Sequence, residues 1–293
     1  MTEPRIERLS GIATIADRYD GVILDLWGVI HDGEKLYPGV EEALANLRAA
    51  GKVICMLSNA PRRPAGVIAK LEGMGLPRDA YDHILTSGEA SHDAMLHRED
   101  DWHAALGPRL FHLGPERDRD VFEDLPYEVV ATPEEADFVV NTGIDDFSET
   151  LADYEDILRR CADARLPMLC ANPDLVVMVG PIMAICAGTL AARYQEMGGD
   201  VRQHGKPLAP VYDRCLKLMG LSDKRRILAV GDSLRTDIAG ANAAGIDCAL
   251  AACGIHAEEL LAGWGETGDM DRLYAAVKAI GPQPTYVIPS LRW

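Results

Sequence analysis

Apolar runs that end abruptly on a polar side chain recur along this chain, with stretches of helical periodicity between them. That alternation constrains the fold more than any other feature. A strand covered on both faces reads as a continuous apolar run, and each parallel step needs a helix to cross over. The clearest example is "GVILDLWGVIHDG", Gly21 to Gly33, where four apolar or small residues lead into Asp25 and a glycine-containing loop follows. Further strands are expected at 52–58, 83–86, 110–113, 127–130, 138–141, 167–171, 175–179, 226–230 and 247–251, besides 22–25 itself. Between them, Pro38-Gly39 opens the helical stretch "VEEALANLRAAG", with Gly51 just past its end. "SETLADYEDILRRCADA" is expected to start on Ser148 as N-cap, with early negative charge supporting the helix dipole.

The pattern divides into three parts. Residues 1–87 and 201–293 read as one βα system, and residues 88–200 carry a strand–helix alternation of their own. An insertion of that size into an α/β sheet is expected to form a separate domain. The fold class is therefore α/β, a doubly wound parallel sheet with an inserted α/β domain. The tail "GPQPTYVIPSLRW" is proline-rich and is expected to run extended over the surface or into an interface. Leu175 to Ala192 is eighteen residues without a charge, but Gly180-Pro181 interrupts it. A buried strand followed by a buried helix is expected there, not a membrane span.

Charge narrows the partners. With 29 basic and 46 acidic residues the net charge is −17, which disfavours nucleic acid and anionic membrane. The same acidity repels phosphorylated ligands, so a phosphate site needs local cations or a metal. The N-terminal stretch lacks an apolar signal-peptide segment. Seven scattered cysteines without a C-x-x-C pair read as buried free thiols in a reducing cytoplasm, and the eight histidines show no zinc spacing.

Four segments fall at strand ends or helix starts, where open parallel sheets place ligands. They are Asp25; Ser58 and Asn59 in "VICMLSNAPRR"; Lys206 in "HGKPLAP"; and Asp232 with Asp237 in "RRILAVGDSLRTDIAGA". Together they suit phosphoryl transfer. A carboxylate can attack phosphorus, a hydroxyl and N–H groups can hold oxygens, and a lysine and a carboxylate-bound Mg²⁺ can neutralise charge. Each also has a plain structural reading: a turn aspartate, a helix N-cap, a solvated lysine, an acid beside a helix N-terminus.

In this order, and with "VVNTGIDDFSETLADYEDI" and "CANPD" in the insert, the chain resembles the haloacid dehalogenase superfamily. The likeness is to the class with a large α/β cap between the second and third motifs, the 4-nitrophenylphosphatase and sugar-phosphatase branch. Within it, the sequence is similar to an uncharacterised subgroup with a "DLWGV" first motif. The resemblance implies a Rossmann-like core and a phosphatase working through an aspartyl-phosphate on Asp25. It implies Mg²⁺ held by Asp25, the backbone carbonyl of Trp27 and Asp232, with Asp237 supporting the metal through water or from behind. Ser58 and Asn59 would bind phosphate and Lys206 would steady nucleophile and phosphoryl group. Substrates would be small phosphorylated metabolites, sugar phosphates among them, and a homodimer through the cap is in keeping with such relatives. Asn172, Pro173 and Asp174 are the cap segment expected near the site, although Asn-Pro-Asp is a turn signal in any context.

Trp27 departs from the pattern. The family's second aspartate, which protonates the leaving oxygen and then activates water, would stand there. An indole N–H is a donor only and does not titrate. Loss of such acid–base help costs about 10²–10⁴-fold, roughly 3–5 kcal/mol of barrier. That favours leaving groups that need no proton, such as acyl phosphates or activated esters. His31 and Asp32 are local replacement candidates, each with a bland loop or turn reading. Three outcomes stay open: a phosphatase, a phosphoryl-ligand sensor with little turnover, and a phosphotransferase.

Overall fold

In the computed structural model, which describes residues 5–180 and 182–293, two parallel sheets account for most of the strands. Strands β1 (Glu7–Arg8), β2 (Gly21–Leu24), β3 (Val53–Ser58) and β4 (His83–Thr86) come first in the chain. There follow β5 (Arg109–Leu113), β6 (Glu128–Val130), β7 (Phe138–Asn141), β8 (Met168–Cys170), β9 (Val176–Val179), β10 (Ile182–Ile185) and β11 (Val201–Gln203). The chain ends with β12 (Ile227–Gly231), β13 (Asp247–Ala251) and β14 (Tyr286–Ile288).

The larger sheet has the order β1-β14-β13-β12-β2-β3-β4 with every pair parallel. Its two faces carry different helices. Val22, Leu24, Ile54 and Met56 pack under the helices Val40–Ala49 and Pro64–Gly73. Ile23, Cys55, Leu57 and Ala229 alternate to the other face, under Ala209–Met219 and Met270–Ile280. Strand residues buried on both sides explain the unbroken apolar runs, and each fully buried Leu or Ile contributes about 1.5–3 kcal/mol relative to exposure. The strand order reverses between β2 and β12, so their C-terminal ends flank a crevice at the topological switch point. Asp25 follows β2 and Asp232 follows β12; with Leu24 opposite Val230, Asp25 stands level with Gly231 and Asp232 one residue beyond.

The smaller sheet, β11-β8-β7-β5-β6, is also parallel and lies wholly within residues 109–203. Strand β11 pairs with Met168–Cys170, so backbone bonding ties residues 201–203 to this sheet, although the sequence groups them with the larger one.

Three local expectations are corrected. The run from Leu175 ends in the expected buried helix, Ala187–Glu196, but what precedes the helix is not one buried strand. Gly180, at φ +55°, turns β9 back on β10 as an antiparallel hairpin, and Leu175, Met178, Ile182 and Met183 are exposed. Pro181, part of the expected turn, lies outside the described residues. The proline-rich tail is not peripheral: Tyr286, Val287 and Ile288 form a buried strand between β13 and β1. The helix Leu151–Asp163 starts from Thr150, not Ser148. Thr150 and Asp153 form a capping box, whereas the Ser148 hydroxyl donates to Asp146 at 2.6 Å in the preceding turn. Among the described residues no helix is long and apolar enough to cross a membrane.

Candidate active site

The switch-point crevice gathers four of the chain's buried charges. Carboxylate oxygens of Asp25, Asp232 and Asp237 lie within 4.8 Å of one another. Lys206 Nζ donates to Asp25 Oδ1 at 2.5 Å and to Asp237 Oδ1 at 2.7 Å. Strand geometry brings them together. The Asp25 N–H donates to the Val230 carbonyl at 2.9 Å, which extends β2–β12 pairing by one residue into the site. Asp237 comes from the π-helical turn Leu234–Ile238, and the Ser233 N–H donates to its Oδ2 at 3.1 Å. The Tyr212 hydroxyl donates to the Asp237 carbonyl at 3.0 Å and holds that turn from beneath.

One glycine makes room for the cluster. Gly28 sits at φ +77°, and a Cβ there would lie 1.9 Å from Asp232 Oδ2. Asp232 Oδ2 is held from the other side by the Ile255 N–H at 2.8 Å.

Burial sets the protonation equilibria. Loss of solvent raises the Asp25 carboxyl well above its usual range; Lys206 opposes this, and Asp237 and Asp232 add to it. Asp232 is pushed up to about 7, first by burial and then by Asp237. Burial works against the Lys206 charge, but Asp237, Asp25 and Asp174 outweigh it and raise the ammonium well above its usual value. One ammonium thus faces several carboxylates in a dry site. The excess of hard oxygen donors, with no soft donor in the cluster, suits a divalent cation such as Mg²⁺ or Ca²⁺.

Ser58 ends β3 at the same sheet edge, and its Oγ accepts the Ala60 N–H at 3.2 Å, leaving the hydroxyl proton to point elsewhere. The Asn59 carboxamide does not face an open site. Its Nδ2 donates to Asp174 Oδ1 (2.9 Å) and to the Lys206 carbonyl (3.0 Å), and its Oδ1 accepts the Lys206 N–H (2.8 Å). The expectation of a phosphate-binding Asn59 side chain therefore meets a carboxamide already engaged by protein groups. Of the segment Asn172, Pro173 and Asp174, the carboxylate of Asp174 reaches the larger sheet, while Asn172 Oδ1 accepts the Asp174 N–H at 3.0 Å and shapes the turn.

Trp27 packs within its own loop. Lys70 Nζ lies 4.3 Å from its ring centroid, and His31 meets it edge-on at 5.0 Å. Gly33, at φ +99°, leaves space that a Cβ would fill at 2.4 Å from the indole. His31 is 1% exposed; burial first, and then Lys70, lowers its pKa to about 4. Its Nδ1 accepts the Gly33 N–H at 3.0 Å, so the neutral ring carries its proton on Nε2. Asp32 Oδ1 accepts the N–H groups of Glu34 (3.0 Å) and Lys35 (2.9 Å). Burial opposes the charge of Asp32, yet those two bonds hold its carboxyl below the usual range. Both side chains are engaged in building the loop.

Comparison with known proteins agrees with this geometry. Residues 22–128 match the haloacid dehalogenase-like hydrolase family, and residues 203–293 match a HAD-hydrolase-like family. A haloacid dehalogenase-like hydrolase from Brucella suis superposes with a TM-score of 0.81 at 35% identity, covering 98% of this chain and 100% of that one. The chain belongs to the haloacid dehalogenase-like hydrolases. Within this family it is similar to the sugar-phosphatase AraL of Bacillus subtilis, 26% identical over 284 residues that cover 93% of this chain and 90% of that protein. It is also similar to a 4-nitrophenylphosphatase of Thermotoga maritima, with a TM-score of 0.69, 27% identity and coverage of 93% and 94%. These likenesses place it in class IIA of the haloacid dehalogenase-like hydrolases.

Three contributors to the site carry no local signature in the sequence. Tyr212 lies mid-helix, and its spacing reads only as core. Gly28 reads as a turn residue until Asp232 is placed against it. The partnership of Asn59 with Lys206 spans 147 residues and has no signal in either segment.

Proposed function

We propose that this chain is a Mg²⁺-dependent phosphatase acting on small phosphoric monoesters or acyl phosphates through an aspartyl-phosphate on Asp25. The observation that carries this reading is the contact of Lys206 Nζ with both Asp25 and Asp237, inside a carboxylate cluster at the switch point. The similarity to sugar-phosphatase AraL and to a 4-nitrophenylphosphatase supports it. Asp25 and Asp232, with the backbone carbonyl of Trp27, would hold the metal, and Asp237 would support it. When bound, Mg²⁺ supplies positive charge to the carboxylates and to phosphoryl oxygens.

The residues divide the work. An Asp25 oxygen attacks phosphorus and the bond to the leaving oxygen breaks, giving an acyl phosphate that water then cleaves. Lys206 opposes the burial that disfavours an ionised Asp25, together with the metal when it is bound, and stands where charge builds on the phosphoryl oxygens. The Ser58 hydroxyl accepts the Ala60 N–H and keeps its own O–H to donate to a phosphoryl oxygen. Trp27 can neither give nor take a proton, and His31 and Asp32 are committed to the loop. Leaving groups that depart as stable anions therefore fit best, with acetyl phosphate and 4-nitrophenyl phosphate ahead of alkyl phosphates.

Phosphate release from those two compounds with Mg²⁺ tests the reading. Turnover is expected in the native chain and should fall to background in Asp25→Asn. Absence of turnover on both would overturn the phosphatase reading. Label trapped on Asp25 without release would indicate transfer to another acceptor instead.

A further inference from the structure

We propose that Asp174 and Asn59 form a positioning relay that couples the seating of the inserted domain to the placement of Lys206. As a positioning role for the lysine, it rests on the phosphatase reading for its kinetic consequence, while the relay itself can be tested without turnover.

The Asn59 carboxamide has two N–H donors and one carbonyl. One N–H and the carbonyl pair with the backbone carbonyl and N–H of Lys206, at 3.0 and 2.8 Å, so the carboxamide takes up both backbone polar groups of the lysine. The second N–H goes to Asp174 Oδ1 at 2.9 Å. Turning the amide over would set its oxygen against a carbonyl and a carboxylate and its NH₂ against an N–H, so the orientation is fixed by chemistry. Asn59 is 3% exposed and Lys206 is 3% exposed, so no solvent can substitute for these bonds.

Asp174 is anchored in the insert. Its N–H donates to Asn172 Oδ1, and its carbonyl accepts the Gly188 N–H at 3.1 Å, at the start of the helix Ala187–Glu196. The chain of contacts runs from that helix through Asp174 and Asn59 to the Lys206 backbone. From there the buried side chain carries Nζ to Asp25 and Asp237. Displacing the insert removes the Asp174 bond, one of the three hydrogen bonds that hold the Asn59 carboxamide in place. The backbone of the lysine that meets the nucleophile is then held less firmly. Fixed placement of such a group is worth far more than its own hydrogen bonds, because small displacements at a reacting centre cost rate steeply.

Two substitutions at position 174 separate this role from others. Asp174→Asn retains an acceptor for Asn59, whereas Asp174→Ala does not. On 4-nitrophenyl phosphate with Mg²⁺, Asp174→Ala should lose about 10–100-fold in kcat with KM nearly unchanged, as is usual when a supporting hydrogen-bond partner is removed. Asp174→Asn should stay within a few-fold of the native chain, with the same pH profile. Hydrogen exchange supplies the second measurement: the peptide containing the Lys206 amide should exchange faster in Asp174→Ala and at the native rate in Asp174→Asn. If Asp174→Ala does not fold, Asn59→Ala, which leaves the insert intact, should show the same faster exchange. Native exchange at Lys206 in the alanine variants would overturn the relay. So would an Asp174→Asn variant as impaired as Asp174→Ala with a shifted pH limb, since the charge and not the link would then be at work. If the native chain lacks turnover but exchange behaves as described, the relay stands and the phosphatase reading fails.

Discussion

At the residue scale, the proposed reaction turns on Trp27, which stands where the resemblance implies an acid. Trp27 is packed against Lys70, His31 and Gly33, so the position has been given to loop structure. Trp27→Asp restores a group that can protonate a leaving oxygen. It should raise kcat on an alkyl phosphate by up to about 10²-fold while changing acetyl phosphate turnover little, because only the poorer leaving group needs the proton. Equal effects on both substrates, measured as phosphate release, would count against the leaving-group argument. His31 makes a separate prediction. Its folded pKa of about 4 lies below the unfolded value of about 6.5, so the unfolded chain takes up the proton first. Its contribution is complete above about pH 6.5 and is lost as pH falls toward 4, amounting to about 3 kcal/mol. His31→Asn keeps an acceptor for the Gly33 N–H and removes the titration. Denaturant melts at pH 7 and pH 5 should show a smaller loss in the variant than in the native chain.

At the scale of elements, what could be read from sequence depended on whether the deciding contact was local. The apolar runs ending at Asp25, Ser58 and Gly231 are central strands, and their carboxylates and hydroxyl stand where the alternation puts them. The positions of Asp25, Ser58 and Asp232 at the sheet edge were legible for that reason; Lys206 and Asp237 were placed only as polar residues at a helix start. The strands β1, β11 and β14 were not, because Glu7–Arg8 and Val201–Gln203 carry no apolar run and Tyr286–Ile288 is flanked by prolines, which read as an extended tail. The hairpin β9–β10 read as buried because its residues are apolar, yet its exposure is decided by what lies opposite. Asn59 could be located at the end of β3 from the sequence, but its partners were invisible, since Asp174 and Lys206 are 115 and 147 residues away. The start of the helix Leu151–Asp163 shows the finer limit: Ser148 and Thr150 are both good caps, and the acid three residues after Thr150 decides between them. Thr150→Ala should lower stability by about 1 kcal/mol, read from denaturant melts, whereas Ser148→Ala should cost less.

At the scale of the whole molecule, a chain of net charge −17 concentrates buried carboxylates in one crevice with a single lysine among them. In the metal-free protein that arrangement opposes folding, because burial and mutual repulsion both disfavour the ionised forms of Asp25 and Asp232. A divalent cation that binds only the folded chain reverses the balance and stabilises it by mass action, about 2.7 kcal/mol when its concentration is a hundredfold above Kd. Asp232→Asn separates the two effects because they have opposite signs. The amide oxygen can still accept the Ile255 N–H, so the loop contact at 2.8 Å survives while one negative charge is removed. In EDTA the variant should melt at or above the native temperature. With excess Mg²⁺ the native chain should gain several degrees and the variant little, so the order of the two melting curves should invert between the two conditions. Equal gains in both proteins would place the cation elsewhere. A variant that melts far lower in EDTA would show that Asp232 supports the fold through its charge, and that the carboxylates are held for structure and not for a metal.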